Sequence, residues 1–265
     1  MSQTILEGPL LVEVKNQVMT ITFNQPKKMN ALSNDMVSQL RDLVLGSKEN
    51  DEVRVIVLQG MGDHFATGAD LNPKDIANKD FSLYDFVTQN YNKLVMGMVE
   101  MDKPIIAKVR GNCVGAAFNI ALACDLMYAD ETARFSEIFT RIGFSCDAGG
   151  GFLLPARVGY HKAFELMAFA EMIPADEALK LNLVNKIFPA AELDQAVDKI
   201  SQALATGPYL AIQRTKANLR AGVHQGLAAA LETEAINQDK NFKSKDFMEG
   251  LSAFLQKREP NFKGE

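Results

Sequence analysis

Asp147 is the residue of this sequence best placed to do chemistry. It stands in IGFSCDAGGGFLLP (142–155), between an apolar approach and three consecutive glycines. Burial in apolar surroundings raises the pKa of a carboxyl and makes it a better base near neutral pH. Aspartate is also a common helix N-cap, which accepts from backbone N–H groups two or three residues later. Taken alone, the residue types favour the cap over an acid–base role.

Two glycine-rich turns could bind an anion or a developing oxyanion. They lie in HFATGADL (64–71) and VRGNCVGAAFNIALACD (109–125), and each follows a predicted strand and turns at Gly68 or Gly115. A helix is expected to begin near Ala69 in the first turn and directly after the glycine in the second. The first N–H groups of a helix have no internal partner and point outward. Either turn alone more often reflects close packing of a helix on a strand.

The elements that must position these residues alternate between strands and helices. LLVEVKNQVMTITF (10–23) alternates apolar and polar residues around a polar turn, which predicts a hairpin. A helix over 35–50, capped by Ser33 or Asn34, follows the hairpin. A buried strand over 53–60, a helix over 82–101 and a strand over 105–109 come next, and helices dominate after about residue 160. This order indicates an α/β core with a helical C-terminal extension.

Composition excludes several classes of protein. The 265 residues carry a net charge of −5, so no global basic field would attract nucleic acid. Three cysteines without a C-x-x-C pair and three scattered histidines predict no metal site and suit a reducing compartment. Neither a signal peptide nor a run of about 20 apolar residues is present. We expect a cytoplasmic protein with no membrane partner.

Six ordered stretches resemble the crotonase superfamily, the enoyl-CoA hydratase/isomerase family. They are ITFNQPKKMNALS (21–33), HFATGADL (64–71), KPIIAKVRGNCVGAAFNIALACDLMYA (103–129), ARFSEIFTRIGFSCDAGGGFLLPARVG (133–159), ADEALKLNLVNKIFP (175–189) and EGLSAFLQKREPNFKG (249–264). The resemblance implies an α/β fold, the crotonase (ClpP-like) spiral of β-β-α units. Residues 1–200 would form the core with a coenzyme A thioester site, and 201–265 a helical trimerisation region. It further implies a homotrimer or homohexamer, and no cofactor besides the coenzyme A of the substrate.

The same resemblance assigns site residues. The backbone N–H groups of Ala69 and Ala116 would form an oxyanion hole, although the family usually has glycine at the second position. Alanine keeps the N–H and adds one methyl group. The resemblance implies substrate contacts at Lys28, Ala31, Gly68, Asp70, Leu71, Gly115, Asn119, Phe139, Phe144, Phe262 and Lys263. The basic residues near the C-terminus would act partly from a neighbouring subunit.

The acids expected of a hydratase in this family are absent. Asn119 and Phe139 occupy the places of its two glutamates. Glu137 is a conceivable substitute, but a two-residue offset along a strand moves a carboxylate by about 6–7 Å, which disfavours it. A dehalogenase branch pairs the aspartate with a histidine in the preceding helix, and our alignment puts Asn92 there.

Asp147 occupies the acid–base position of the family's isomerases, and this reverses the preference for a cap. The resemblance is closest to ring-1,2-epoxyphenylacetyl-CoA isomerase and Δ3,Δ2-enoyl-CoA isomerase members. We therefore predict an acyl-CoA isomerase that shifts a double bond from position 3 to position 2 through an enolate. Two alternatives stay open. One is an enoyl-CoA hydratase that uses Glu137, and the other is a crotonase-fold module that binds coenzyme A without catalysis.

Overall fold

Two β-sheets carry the loops on which the site is built. The structure is a computed structural model that describes residues 3–6, 8–70, 80–225 and 227–265. Its strands are β1 (Gln3–Leu6), β2 (Leu10–Lys15), β3 (Val18–Phe23), β4 (Val55–Gly60), β5 (Ile105–Val109), β6 (Asn112–Val114), β7 (Leu126–Asp130), β8 (Arg134–Ser136), β9 (Ile173–Pro174) and β10 (Lys186–Phe188). The larger sheet has the order β1-β2-β3-β4-β5-β7-β10, and the smaller one has the order β6-β8-β9.

The parallel part of the large sheet brings the two glycine-rich turns to one edge. Strands β3, β4, β5, β7 and β10 pair in parallel, whereas β1 and β2 add to the sheet antiparallel. The carboxyl ends of parallel strands meet at one edge of a sheet, which is where ligands bind in open α/β folds. The chain leaves β4 at Gly60 and β5 at Val109 on this edge, so the turns that follow them are neighbours.

The predicted hairpin over residues 10–23 is confirmed as β2 and β3. Lys15 pairs with Val18, and the two turn residues, Asn16 and Gln17, both have positive φ. Such two-residue turns match the right-handed twist of the flanking strands. The apolar residues that alternate along β2 are buried, Leu10 and Val12 among them. Period-two alternation therefore fixed which face of this hairpin packs on the core.

The helices surround this framework. They are α1 (Asn34–Gly46), α2 (Leu83–Phe86), α3 (Asn92–Glu100), α4 (Ala116–Leu122), α5 (Gly150–Leu153), α6 (Pro155–Val158), α7 (Tyr160–Phe169), α8 (Ala175–Lys180), α9 (Leu193–Thr206), α10 (Tyr209–Gln225), α11 (Leu227–Phe242) and α12 (Lys245–Gln256). A π-helical turn, Val87–Tyr91, joins α2 to α3. Short 3-10 helices cover Pro26–Lys28, Ser47–Glu49 and Ile138–Ile142. The predicted capping of α1 is confirmed, because Ser33 Oγ accepts from the Met36 N–H at 3.2 Å.

Helix α9 belongs with the core along its whole length. Leu193, Val197 and Ala205 are all buried in one cluster with side chains of β3, β4 and β5. The predicted boundary at residue 200 therefore falls inside a helix that packs on the sheet on both sides of that position. A separate unit formed by the following helices stays a prediction. Among the residues that the structure describes, no helix is both long enough and apolar enough to cross a membrane.

Candidate active site

The two glycine-rich turns converge at the carboxyl edge of the sheet. Gly68 has φ +84° and Gly115 has φ +59°, conformations that L side chains rarely adopt. A methyl carbon placed on Gly68 would lie 3.7 Å from Gly115 Cα and 3.8 Å from the Ala116 nitrogen. The first turn is therefore packed directly against the start of α4. Glycine is needed here for the backbone angle, and a methyl carbon at Gly68 would also crowd the Val114 carbonyl oxygen at 3.1 Å.

The two predicted oxyanion donors have no partner in the described parts of the chain. Leu32 pairs with Ala69 in an isolated parallel bridge, in which the Leu32 N–H donates to Gly68 (2.8 Å) and the Asp70 N–H donates to Leu32 (2.9 Å). In this pairing the Ala69 N–H points away from Leu32. Ala116 is the first residue of α4, so its N–H has no partner within the helix. Ala116 is buried, and a buried N–H group rarely stays unpaired, which indicates a ligand acceptor at the start of α4. Ala69 is exposed, so its N–H is open to solvent or to a ligand.

Asp147 lies on a tight turn that α4 holds in place. Its carbonyl accepts from the Gly150 N–H at 3.0 Å and from Asn119 Nδ2 at 2.9 Å. The turn continues through Ala148 at φ +47° and Gly149 at φ +80°. A left-handed alanine costs about 1 kcal/mol or more, so the surrounding contacts must maintain this conformation. The Asn119 amide is the side chain that does so from α4.

The side chain of Asp147 does not cap a helix. Gly149 is the N-cap of α5, and no side chain accepts from the first turn of that helix. Instead, Asp147 Oδ1 is buried without a hydrogen-bond partner in the described structure. Burial raises the pKa of this carboxyl to about 6, opposed by its own backbone N–H. It is therefore mostly ionised at neutral pH and still basic enough to take a proton.

Asn119 and Phe139, which the resemblance puts in place of the hydratase glutamates, are both buried next to the glycine-rich turns and Asp147. Asn119 is completely buried on α4 and forms the hydrogen bond to the Asp147 carbonyl. Phe139 is buried as well, and its Cζ would lie 3.9 Å from a methyl carbon placed on Gly115. An aromatic ring thus packs beside the second glycine-rich turn. Phe144 follows on the next turn and is about half exposed.

Glu137 lies in the site, and the reason given for disfavouring it is wrong. Strand β8 ends at Ser136, and a 3-10 helix begins at Ile138, so the spacing of an extended strand does not apply. Glu137 is 1% exposed, and its Oε2 lies 3.4 Å from Asn119 Nδ2. Burial raises the pKa of Glu137 to about 8, and the charge of Asp147 adds to this while the Asn119 hydrogen bond opposes it. The site therefore holds a second carboxyl, which is mostly neutral at pH 7.

Tyr91 is a site residue that the sequence did not identify. Asn92, which the resemblance places at the dehalogenase histidine, is exposed, whereas the neighbouring Tyr91 is buried and senses the charge of Asp147. Burial and then the charge of Asp147 raise the pKa of Tyr91 well above its ordinary value. Tyr91 ends the π-helical turn Val87–Tyr91, and a π turn contains one residue more than an α turn, which changes the faces on which the following side chains lie. No local sequence signal marks that extra residue.

The remaining predicted contacts divide into two groups. Lys28 Nζ binds Asp70 Oδ2 at 2.6 Å and links the 3-10 turn of residues 26–28 to the first glycine turn. Ala31 is next to Leu32, which pairs with Ala69, so these residues lie near the hole. Leu71 lies outside the described residues. The described segment ends at Asp70, so the helix predicted to begin near Ala69 also falls outside it.

Phe262 and Lys263 do not join the site within one chain. The Lys263 carbonyl accepts from Arg54 at 2.6 Å, and Arg54 directly precedes β4. The first glycine-rich turn follows the other end of β4, and six strand residues span about 20 Å. Phe262 packs against Gly250 of α12. A contribution from these residues through a neighbouring subunit stays a prediction.

Replacing Gly150 with alanine should disturb the Asp147 turn. The new methyl carbon would lie 2.5 Å from Asn119 Nδ2 and 2.7 Å from its Oδ1, so the amide must move. We expect a loss of stability of about 1–3 kcal/mol from overpacking, and an activity loss of about 10- to 100-fold from misplacement of the turn. Urea unfolding and steady-state turnover measure these two effects.

Gly151→Ala is the matched control in the same helix. Its methyl carbon would lie 3.7 Å from Cys146 Sγ, an ordinary contact, and Gly151 is exposed. This variant should keep the turnover and stability of the parent. Equal behaviour of the two variants would contradict the role given to the Asn119 contact.

Replacing Glu137 with glutamine should raise the stability of the protein in a pH-dependent way. The folded-state pKa of Glu137, about 8, lies above the unfolded value of 4.5, so the unfolded chain loses this proton first as pH rises. Between pH 4.5 and about pH 8, the free energy of unfolding therefore falls by up to about 1.4 kcal/mol per pH unit. Glutamine does not ionise, so the variant does not lose this stability. The stability gain over the parent should be small near pH 4.5 and largest at pH 8 and above. Chemical denaturation at several pH values measures it, and a gain that does not depend on pH would contradict the assignment.

Comparison with known proteins agrees with this geometry. Residues 13–265 match the family model of enoyl-CoA hydratase/isomerase. A "Probable enoyl-CoA hydratase" of Rhodobacter capsulatus is 36% identical over 252 residues, which are 95% of this chain and 96% of the relative. The 1,2-epoxyphenylacetyl-CoA isomerase of Escherichia coli is 30% identical over 257 residues, 96% of this chain and 98% of the relative.

A crystal structure of enoyl-CoA hydratase from Bacillus anthracis superposes with a TM-score of 0.91 at 27% identity, covering 97% of this chain and 100% of the other. The predicted crotonase fold is thereby confirmed. The relatives include both hydratases and isomerases, so they establish the family and not the reaction. The chain belongs to the enoyl-CoA hydratase/isomerase family of the crotonase superfamily.

Proposed function

We propose that this protein is an acyl-CoA isomerase that moves a double bond from position 3 to position 2 of an enoyl-CoA. One observation carries the proposal. Asn119, on the first turn of α4, holds the carbonyl of Asp147, and the same helix presents the unpaired Ala116 N–H at its start. The base and the oxyanion donor are therefore fixed to one short, fully buried helix. Preorganised donors of this kind supply the largest part of many enzymatic accelerations.

The reaction follows from these groups. A coenzyme A thioester would place its carbonyl oxygen between the N–H groups of Ala69 and Ala116. Asp147 takes a proton from C2, and the negative charge that develops on the thioester oxygen is stabilised by both donors. Asp147 then returns the proton at C4, and the double bond forms between C2 and C3. No water is activated, and no cofactor is needed beyond the coenzyme A of the substrate.

Two absorbance assays separate the candidate functions. An isomerase converts a 3-enoyl-CoA into the conjugated 2-enoyl thioester, with a gain of ultraviolet absorbance. A hydratase removes the absorbance of a supplied 2-enoyl-CoA. A module that only binds would do neither, although coenzyme A thioesters would raise its thermal midpoint by mass action. Absence of any 3-enoyl-CoA conversion would refute the proposal.

A specific observation favours hydration as the second candidate. Glu137 and Asp147 form a pair of carboxyls in which burial holds one mostly neutral and leaves the other mostly ionised at pH 7. Such a pair could supply one acid and one base. The proteins named as hydratases among the relatives support the same candidate. The isomerase stays the first proposal, because Asn119 and Phe139 occupy the places of both hydratase glutamates.

We also infer that the protein works in the cytoplasm as a homotrimer or as a hexamer of paired trimers. Apolar side chains on the C-terminal helices support this assembly, because they are exposed in a single chain and would be buried by a neighbour. They include Leu219, Val223, Leu231, Ile236, Phe242, Met248, Leu251 and Leu255. Light scattering should give three or six times the chain mass of 29.1 kDa. A monomer would refute the inference.

A further inference from the structure

The proposed reaction makes no use of Glu137, although this residue is buried at the centre of the site. Its carboxyl is 1% exposed and lies between the end of β8 and the following 3-10 helix. Burying an ionisable group without an opposite charge destabilises a fold. The position therefore needs an explanation in terms of what the carboxyl contacts.

A chain of three contacts connects Glu137 to the turn that holds Asp147. Glu137 Oε2 lies 3.4 Å from Asn119 Nδ2, and the same Nδ2 donates to the Asp147 carbonyl at 2.9 Å. Gly150 closes the turn with its own hydrogen bond to that carbonyl, and its Cα packs against the face of the amide. Asn119 is therefore fixed on one side by the turn and on the other by Glu137. A movement of the amide would be transmitted to Asp147.

The unpaired atoms around Asn119 indicate whether the Glu137 carboxyl is neutral or ionised. Within the described structure, Glu137 Oε1, Asn119 Oδ1 and Asp147 Oδ1 are all buried acceptors without a partner. An ionised Glu137 would add only further acceptors, whereas a neutral carboxyl has one O–H to donate. Asn119 Oδ1 is an unpaired acceptor on the amide that Glu137 already contacts, and a hydrogen bond from the neutral carboxyl to it would fix both ends of that amide. Buried polar networks are stable only when their members are satisfied in this way.

We propose that Glu137 is a positioning residue for the isomerisation, whose neutral carboxyl orients the Asn119 amide and through it the turn that presents Asp147. The inference deepens the proposed function and rests on it for its kinetic consequences. It assigns Glu137 no contact with the substrate. Asn119 is the intermediary, which gives a physical reason for an amide at a position where hydratases of the family have a glutamate.

No opposite charge near Glu137 competes with this role in the described parts of the chain. The titratable groups that influence it or are influenced by it are Asp147 and the thiols of Cys113 and Cys146. Burial raises the pKa of both thiols, so they stay neutral. Tyr91 adds a neutral hydroxyl on the side of Asp147. Ionisation of Glu137 would therefore place a second, unscreened negative charge beside a reaction that itself develops negative charge.

A pH profile of the isomerisation tests the proposal. For the parent, kcat/KM should rise through about pH 6 as Asp147 ionises and fall above about pH 8 as Glu137 ionises. Glu137→Gln, which copies the neutral form, should lose the alkaline fall and keep the acid limb. Glu137→Ala should lower kcat about 10- to 100-fold with little change in KM, because the turn is no longer held. Glu171→Gln, at an exposed glutamate, is the control and should keep the parent profile.

Hydrogen exchange gives a readout that does not depend on turnover. The amide of Gly150 bonds to the Asp147 carbonyl, so a peptide spanning 146–153 reports on the turn. Glu137→Ala should speed its exchange about ten-fold or more, and Glu137→Gln should restore most of the protection. An alkaline fall that persists in Glu137→Gln, or exchange that is unchanged in Glu137→Ala, would overturn the proposal. If the two variants show these exchange effects but the parent protein does not isomerise 3-enoyl-CoA, the proposed function is refuted and the positioning role of Glu137 is supported.

Discussion

Replacing Asp147 with asparagine should lower kcat for a 3-enoyl-CoA by about 10²- to 10⁴-fold, the usual contribution of a positioned acid–base group. Asparagine has nearly the same shape but cannot take a proton from C2 or return it at C4. The oxyanion donors are backbone groups on other turns, so coenzyme A thioesters should still bind. The measurement is the initial rate of conjugated thioester formation at saturating substrate. Asp198→Asn, at an exposed aspartate on α9, is the control.

Loss of structure cannot account for this expected result. The folded-state pKa of Asp147 is about 6 and lies above the unfolded value of 3.8. Between these values the unfolded chain loses the proton first, so ionisation of Asp147 weakens the native state as pH rises. A neutral asparagine removes that effect. The variant should therefore be at least as stable as the parent at neutral pH, which thermal unfolding can verify. Turnover within about three-fold of the parent would exclude Asp147 as the base, since acid–base groups contribute far more.

The sequence predicted best where local rules act alone. The hairpin over residues 10–23 and the cap of α1 at Ser33 depend on alternation and on one hydroxyl, and both are as expected. The glycine turns at Gly68 and Gly115 also followed from local requirements, because only glycine adopts these backbone angles freely. Their convergence could be anticipated because parallel strands deliver successive turns to the same edge.

The sequence failed where the regular period is interrupted. An offset of about 6–7 Å along an extended strand disfavoured Glu137, but β8 ends before Glu137 and a 3-10 helix follows, so that spacing does not apply. The resemblance pointed to Asn92 on this helix, and no sequence pattern pointed to Tyr91, the buried residue at the end of the π-helical turn. Both interruptions are set by tertiary packing and not by residue type. Glu137 and Tyr91 both sense the charge of Asp147, in agreement with the rule that local expectations fail most often at functional sites.

Replacing Ala116 with proline should lower kcat by about 10²- to 10³-fold, the effect expected when one oxyanion donor is removed. Ala116 is the first residue of α4, and proline is well tolerated there because this N–H has no helical partner. The helix should therefore form, while the hydrogen aimed at the thioester oxygen is lost. The initial rate with a 3-enoyl-CoA gives the effect, and circular dichroism verifies that the fold is kept.

Two further variants distinguish loss of the donor from the effect of a proline ring. Ala116→Gly keeps the N–H and should retain at least a tenth of the parent kcat, far more than the proline variant, because only a methyl group is removed. Ala175→Pro places the same ring at the first position of α8, outside the site, and should keep the parent turnover. If Ala116→Pro isomerised substrate as fast as Ala116→Gly, the Ala116 N–H would not be an oxyanion donor. The stabilisation of the enolate would then have to come from the Ala69 turn alone, and the convergence of the two turns at Gly68 would be a matter of packing.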